Sequence, residues 1–255
     1  MTTTTYAQEL FGAGRIVRPI PPLTGRDGAL TIDDAYAIQS HLIALREADG
    51  ARRVGRKIGL TSHAMQDMLG VDQPDYGVLL DDMVVEAGGV IDTSMLIAPR
   101  AEAEIAFILD AAVAGPDVTA EEVLAVTRAV CPALEIIDSR IVDWRIAIQD
   151  TIADNASSAL YVLGDEMPVD AVDLACETMV LTVGGEHVEG RGDAVLGHPA
   201  EPIAWLARTL APRGESLVAG DVVLPGALAR ALPFVSGDAI RAEFATLGTV
   251  EVTAR

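Results

Sequence analysis

The sequence predicts an α+β protein, a β-rich core on a mixed sheet with a small helical N-terminal part. Three observations predict it. The first 50 residues carry helical periodicity, and from Val54 the texture changes to short apolar runs punctuated by Gly, Pro and Asp. Helices then interrupt those runs without a regular βαβ alternation, and strands dominate the second half. The division is placed at residues 1–52 for the helical region and 53–255 for the core.

In the helical region, Thr31 with Asp34 resembles a capping box, Ile38, Leu42 and Leu45 recur at helical spacing, and Gly50 is a natural stop. Strands are expected at 54–60, 76–80, 102–109, 132–138, 158–163, 177–183, 186–190, 221–225, 238–244 and 247–253. Gly184-Gly185 signals a tight hairpin, and Ala-Gly-Asp at 219–221 and Ser-Gly-Asp at 236–238 each turn the chain into a strand. Further helices are expected at 62–69, at 119–129 with Thr119 and Glu122 as a capping box, and at 199–211, closed by Gly214.

Composition bounds the partners. With 38 acidic against 18 basic residues and a formal charge of -20, the chain is a poor match for nucleic acid or an anionic membrane, both of which need a positive field. Only 4% of residues are aromatic, so the core must be built from Val, Leu, Ile and Ala. No run of eighteen apolar residues and no signal-peptide pattern occurs, so a soluble cytoplasmic protein is expected. Cys131 and Cys176 lie apart in apolar surroundings and are expected to be buried and inert.

The most informative segment runs from Pro99 to Leu109. Alternation puts Glu102, Glu104, Ala106 and Ile108 on one face of a strand, with the two glutamate Cα atoms about 6.5–7 Å apart. Both carboxylates can converge on one ion. A third glutamate, Glu135, sits inside the apolar run 131–138, where a lone ionised carboxylate costs several kcal/mol unless paired or metal-bound. Three Glu without nearby His or Cys make an all-oxygen set suited to a hard cation, Mg²⁺ or Mn²⁺. The same spacing also describes a solvated strand face, with Glu135 paired to an arginine. Spacing alone leaves both readings open.

Several segments taken together resemble one family. They are Gly55-Arg-Lys57-Ile-Gly-Leu60-Thr-Ser62, Gly70-Val-Asp-Gln-Pro-Asp75-Tyr-Gly77, Pro99-Arg-Ala-Glu102-Ala-Glu104, Leu134-Glu135-Ile-Ile-Asp138-Ser-Arg140 and Asp150-Thr-Ile-Ala-Asp154-Asn-Ala-Ser157-Ser158. This pattern resembles the 2-hydroxypenta-2,4-dienoate (2-keto-4-pentenoate) hydratase / 4-oxalocrotonate decarboxylase group of the fumarylacetoacetate-hydrolase-like superfamily. The resemblance implies a fumarylacetoacetate-hydrolase C-terminal-domain-like fold, a homo-oligomer, and a divalent cation held by Glu102, Glu104 and Glu135. It implies a small 2-oxo or 2-hydroxydienoic acid as substrate, with association to a downstream aldolase or the sister decarboxylase as a further expectation.

Carried residue by residue, the resemblance makes Lys57 the general acid/base, its pKa expected to be lowered by burial and the adjacent cation. Asp75 would orient Lys57 or activate water, or is simply a turn residue after Pro74. Ser157 would bind the substrate carboxylate, or caps the polar turn around it, and Leu60 would line the substrate. Asp138 and Arg140 are expected to form a supporting ion pair. The expected activity is a carbon–oxygen lyase that hydrates the dienol. The alternative is the decarboxylase acting on 2-oxo-3-hexenedioate, which would use the same cation as electron sink. The absence of an obvious additional cation, and His63 standing where the family often carries Lys or Arg, disfavour a dicarboxylate. A hydrolase lacks a His–carboxylate pair here, and a non-catalytic partner subunit would not need an intact Lys57 and glutamate triad. Arg191 and Asp193 are read as surface loop residues, Trp144 and Trp205 as packing residues, and His41, His187 and His198 receive no role.

Overall fold

The computed structural model describes residues 2–26, 29–62, 66 and 70–255. Two helices open the chain, α1 (Thr3–Ile16) and α2 (Ile32–Ala48). The Thr31 hydroxyl accepts from Asp34 N–H at 3.1 Å while the Asp34 carboxylate accepts from Thr31 N–H at 3.1 Å, so the capping box starts α2 where expected. Their buried faces, including Tyr6, Leu10, Ile38 and Leu42, join one continuous apolar cluster with residues of the strand-rich part. Most of the helix expected at 62–69, His63 included, lies outside the described residues.

The larger sheet contains β1 (Arg53–Gly59), β2 (Asp75–Leu80), β3 (Val84–Val85), β5 (Arg100–Leu109), β6 (Thr127–Ile137), β7 (Ser158–Leu163), β8 (Met167–Pro168), β11 (Val222–Leu224) and β12 (Leu232–Pro233). Its main path is β2-β1-β11-β5-β6-β7-β3. The second sheet has the order β10-β9-β13-β14-β4, from β4 (Val90–Ile91), β9 (Thr178–Val183), β10 (Glu186–Arg191), β13 (Ala239–Phe244) and β14 (Gly248–Ala254). Pairing is mostly antiparallel, but β1–β11, β3–β7 and β14–β4 are parallel, so the sheets are mixed. The Gly184-Gly185 turn joins β9 to β10, and the 219–221 and 236–238 turns lead into β11 and β13 as read from sequence.

Among the described residues, three further helices are α3 (Ala120–Ala125), α4 (Ile148–Ala153) and α5 (Ala200–Leu210). The Thr119–Glu122 capping box forms, but α3 stops well short of residue 129. From Thr127 the chain is already β6, paired with β5 from Thr127 to Ile137. A long antiparallel ladder and burial of Val130 and Cys131 outweigh a helical tail that would gain only local hydrogen bonds.

Alternation along β5 and β6 divides their side chains between two environments. Ala103, Ile105, Phe107, Val130, Leu134 and Ile136 enter the large core, together with Leu181, Ile240 and Val250 of the second sheet. Ala106, Cys131 and Ala133 point the other way, with Leu224 of β11, and form a smaller apolar floor. The parity that sets Ala106 and Ala133 on this second face also sets Glu102, Glu104 and Glu135 there. Cys176, by contrast, is exposed rather than buried. It lies in the turn before β9, where Arg191 donates to its sulfur at 3.1 Å.

Candidate metal centre and acid/base site

Antiparallel register places Glu102 directly opposite Glu135, and Glu104 opposite Ala133. One carboxylate oxygen from each of Glu102, Glu104 and Glu135 lies within 4.8 Å of the other two. Glu104 and Glu135 are fully buried and Glu102 is partly exposed. Each buried carboxylate takes one hydrogen bond from the protein. Gly226 N–H donates to Glu104 Oε2 at 2.7 Å and Ser158 Oγ donates to Glu135 Oε1 at 2.9 Å. Glu135 Oε2 has no hydrogen-bond partner among the described residues, only the Lys57 ammonium at 3.3 Å. A buried, charged oxygen without a hydrogen bond is costly. A divalent cation among the three glutamates removes that cost, and the all-oxygen set fits a hard ion.

Lys57 reaches this centre from β1. On a flat sheet the three strand steps from β1 to β6 span about 14 Å. The two side chains meet across these strands, Lys57 Nζ standing 3.3 Å from Glu135 Oε2. The Lys57 Nζ also donates to Ala156 O at 3.2 Å. Burial pulls the lysine pKa down, but Glu135, Asp75, Glu102 and Glu104 together outweigh burial and hold it above its ordinary value. Among four carboxylates and no cation, Lys57 is an ammonium.

Asp75 opens β2 opposite Gly59 and is buried. It is not a plain turn residue, since it is a buried member of β2. A Cβ at position 59 would stand 2.2 Å from Asp75 Oδ1 and 3.5 Å from Lys57 Nζ, so both groups crowd a space that only glycine leaves open. Burial raises the Asp75 pKa, with Lys57 opposing. Glu102 is pushed up to about 7, chiefly by burial, and Glu104 well above its ordinary range by burial and by its two glutamate neighbours.

Ser157 lies beside the Lys57 contact, buried, in a turn where Asn155, Ala156 and Ser157 all have φ near +50°. Three successive non-glycine residues in this region are strained, and the turn is held from both sides. The Asn155 amide pairs with Val78 through both its atoms, at 2.8 and 2.9 Å, and the Asp138 N–H donates to Ser157 O at 2.8 Å. Leu60 follows β1 in a left-handed conformation, its side chain against the main core and its carbonyl accepting from Gln66.

The expected Asp138–Arg140 ion pair does not form. Arg140 pairs with Asp154 at the foot of the strained turn, while the Asp138 carboxylate accepts the N–H groups of Ile97 and Ala98 at 2.8 and 2.6 Å. Two residues in sequence from a strand end diverge, and Arg140 finds the carboxylate that the turn brings back to it. Arg191 and Asp193 are exposed and pair with each other at 3.2 Å. Trp144 donates to Ala98 O and lies under Arg100, and Trp205 packs edge-on against Tyr76, so both are packing residues. His198 caps α5 by accepting from Ala200 N–H. Sequence reasoning missed Gly226, Ser158 and Gly59 as supports of the site. Pro225-Gly226 at a strand end was a usable signal, whereas the others act only through non-local contacts.

Residues 51–255 match the model of the fumarylacetoacetate (FAA) hydrolase C-terminal family. A 2-hydroxyhexa-2,4-dienoate hydratase of Comamonas testosteroni is 46% identical over 252 residues, covering 97% of this chain and 96% of the relative. A 2-keto-4-pentenoate hydratase of Paraburkholderia xenovorans (strain LB400) is 44% identical, covering 96% of this chain and 91% of the relative. Among solved structures, the 4-oxalocrotonate decarboxylase from Pseudomonas putida G7, complexed with magnesium and adipate, superposes with a TM-score of 0.96 at 37% identity, covering 99% of this chain and 97% of that one.

Proposed function

The chain belongs to the fumarylacetoacetate (FAA) hydrolase C-terminal family, and from that premise we propose that it is a metal-dependent lyase hydrating 2-hydroxypenta-2,4-dienoate, or a close homologue, to 4-hydroxy-2-oxopentanoate in meta-cleavage degradation of aromatic compounds. The observation that carries the reading is the convergence of Glu102, Glu104 and Glu135 beside one buried ammonium, in a chain most of whose length aligns with dienoate hydratases. Glu102, Glu104 and Glu135 would hold the cation, which we assign as Mg²⁺ or Mn²⁺. It supplies positive charge and Lewis acidity to a 2-oxygenated carboxylate in a protein that is otherwise acidic.

The rest of the chemistry falls to the chain's own residues. Ketonisation of the dienol to the 2-oxo-3-enoate moves a proton onto the chain, water adds at C4, and C3 takes up a proton. Lys57 is the proton carrier, being an ammonium on the site face within 3.3 Å of Glu135. Asp75, crowded against Lys57 around Gly59, orients it or takes the proton of the attacking water. Ser157 binds the substrate carboxylate and Leu60 lines the approach from the end of β1. The reading also carries a homo-oligomer in the cytoplasm, the oligomer to be checked by light scattering.

The second reading, decarboxylation of 2-oxo-3-hexenedioate, is favoured by the close superposition on a decarboxylase. Both substrates are incubated with the protein and Mg²⁺, following ultraviolet loss of the dienol and release of CO₂. Dienol loss with formation of the hydroxy-oxo acid, abolished by chelation, is expected. Release of CO₂ without hydration overturns the assignment.

A further inference from the structure

Arg100 shares the site face of β5 with the glutamates, two residues before Glu102 and four before Glu104. Exposure falls along that face from the start of the strand: Arg100 and Glu102 are half-buried, and Glu104 is fully buried. The glutamate centre therefore opens to solvent at the Arg100 end. Arginines elsewhere on this acidic chain find carboxylates, and Arg46, Arg53 and Arg241 each pair with one at 2.8–2.9 Å. Among the described residues, no carboxylate pairs with the Arg100 guanidinium and no acceptor takes a hydrogen bond from it.

Arg100 is held by an indole instead. Its guanidinium carbon lies 4.4 Å from the centre of the Trp144 ring. Trp144 is itself fixed from two sides. Asp143 and Trp144 both have a left-handed backbone, φ 57° and 54°, a costly conformation for two successive non-glycine residues. The indole N–H donates to Ala98 O at 3.0 Å, and the Ala98 N–H donates in turn to Asp138 at 2.6 Å. A stacked guanidinium keeps its N–H edge free, in a plane that matches a carboxylate. Arg100 is thus oriented for an anion without a protein anion to displace.

Strand register decides which end of a substrate it meets. Lys57 of β1 pairs with Leu224 of β11, one step beyond the Val223–Phe107 pair of β11 and β5, so its backbone is level with Ala106. Arg100 lies on the other side of the glutamates, at the outer end of the strand. A substrate whose chain carbons face Lys57 directs its C1 carboxylate toward Arg100. We propose that Arg100, stacked on Trp144, captures and binds the C1 carboxylate of the 2-oxo or 2-hydroxydienoic acid at the mouth of the glutamate centre. The inference deepens the hydratase reading and rests on its placing of Lys57. It also provides the positive charge by which an anion can approach a protein of net charge -20.

The test uses the full chain with Mg²⁺ and compares wild type, Arg100→Gln, Arg100→Lys, Trp144→Leu and the Arg100→Gln/Trp144→Leu double variant. Pyruvate serves as an unreactive 2-oxo acid, methyl pyruvate as its uncharged counterpart and adipate as a dicarboxylate. Their binding and that of Mg²⁺ are measured by calorimetry, beside steady-state hydration and urea midpoints. Arg100→Gln is expected to weaken pyruvate binding and raise KM about 10- to 100-fold, the scale of a charged hydrogen bond. Changes in kcat and in Mg²⁺ affinity should stay within about threefold, as for a group that binds without reacting. Methyl pyruvate should bind both proteins alike, and added NaCl should weaken pyruvate binding more steeply in wild type than in Arg100→Gln. Arg100→Lys should recover part of the loss, since lysine keeps the charge but not the planar fork. Trp144→Leu should weaken pyruvate binding alone and add little once Arg100 is gone.

Unchanged pyruvate binding and KM in Arg100→Gln overturn the proposal, as does an equal loss for pyruvate and methyl pyruvate. A fall in Mg²⁺ affinity that matches the loss of pyruvate binding overturns it by making Arg100 a support of Glu102. A loss seen only with adipate overturns it by moving Arg100 to the far end of a dicarboxylate. Should Trp144→Leu not fold, Arg100→Gln and Arg100→Lys, at a half-exposed position, decide alone. If wild type does not hydrate the dienol while Arg100 still governs pyruvate binding, the hydratase reading fails and the carboxylate subsite stands.

Discussion

Replacing Glu102 by Gln should stabilise the protein without metal and abolish its response to metal. In the metal-free site Glu102 is pushed up to about 7 from 4.5, first by burial, with Lys57 opposing and Glu135 and Asp75 adding. Between those two values the folded chain keeps a proton that the unfolded chain has released. Stability therefore falls as pH rises through that window. At about 1.4 kcal/mol per pH unit the displacement is worth about 3 kcal/mol, and about 2 kcal/mol after discounting for the partial exposure of Glu102. Gln carries no charge and escapes the penalty. The variant should then exceed wild type in chelator near pH 8 by about 2 kcal/mol, and by less than about 1 kcal/mol near pH 5. Saturating Mg²⁺ reverses the order, since wild type gains about 2.7 kcal/mol at a hundredfold excess over Kd and the variant gains little. Urea unfolding followed by Trp144 and Trp205 fluorescence, with and without metal, measures both differences. A metal-free variant less stable than wild type near pH 8, or a wild type whose metal-free stability is flat over this range, refutes the reasoning.

Lys57→Met should leave Mg²⁺ binding intact by calorimetry while lowering kcat by about 100-fold or more, the usual scale of lost acid/base catalysis; near-normal turnover would remove Lys57 from the mechanism. Gly226→Ala should weaken metal binding from a distance. Its new Cβ would stand 1.8 Å from Thr61 Oγ1 at φ +123°, displacing the N–H that holds Glu104. A Kd within twofold of wild type would show that this N–H is dispensable. Asp154→Asn strands the half-buried Arg140 at the foot of the strained turn and should cost about 3 kcal/mol in urea unfolding. A loss below about 1 kcal/mol would mean that Arg140's backbone acceptors alone hold the turn.

What the sequence revealed of the site follows the range of the forces involved. Strand alternation is local, so Glu102 and Glu104 could be placed on one face from a few neighbouring residues, and the apolar run around Glu135 marked a carboxylate needing a partner. Turn chemistry is local as well, which is why the 219–221 and 236–238 turns and the capping boxes at Thr31 and Thr119 stand where spacing put them. The end of α3 was misread because β6 wins residues beyond Thr127 by pairing with β5, a partner no local window contains. Arg140 was paired with Asp138 for the same reason: the strained turn that delivers Asp154 is set by contacts with β2.

The charge arrangement links these points. Glu102, Glu104, Glu135 and Asp75 face a single ammonium, and four carboxylates around one lysine would repel an anionic substrate if all were ionised. Without metal, protons relieve that repulsion, as the raised affinities of Glu102 and Glu104 indicate. A divalent cation replaces those protons, so metal binding must release them and strengthen as pH rises toward and past about 7. Burial in an apolar strand is therefore the source of the site's selectivity for charge rather than an incidental expense. It makes each glutamate a poor anion alone and a good one only beside a cation. The carboxylates around it, outweighing burial, keep Lys57 charged and able to deliver a proton once an anionic substrate has entered.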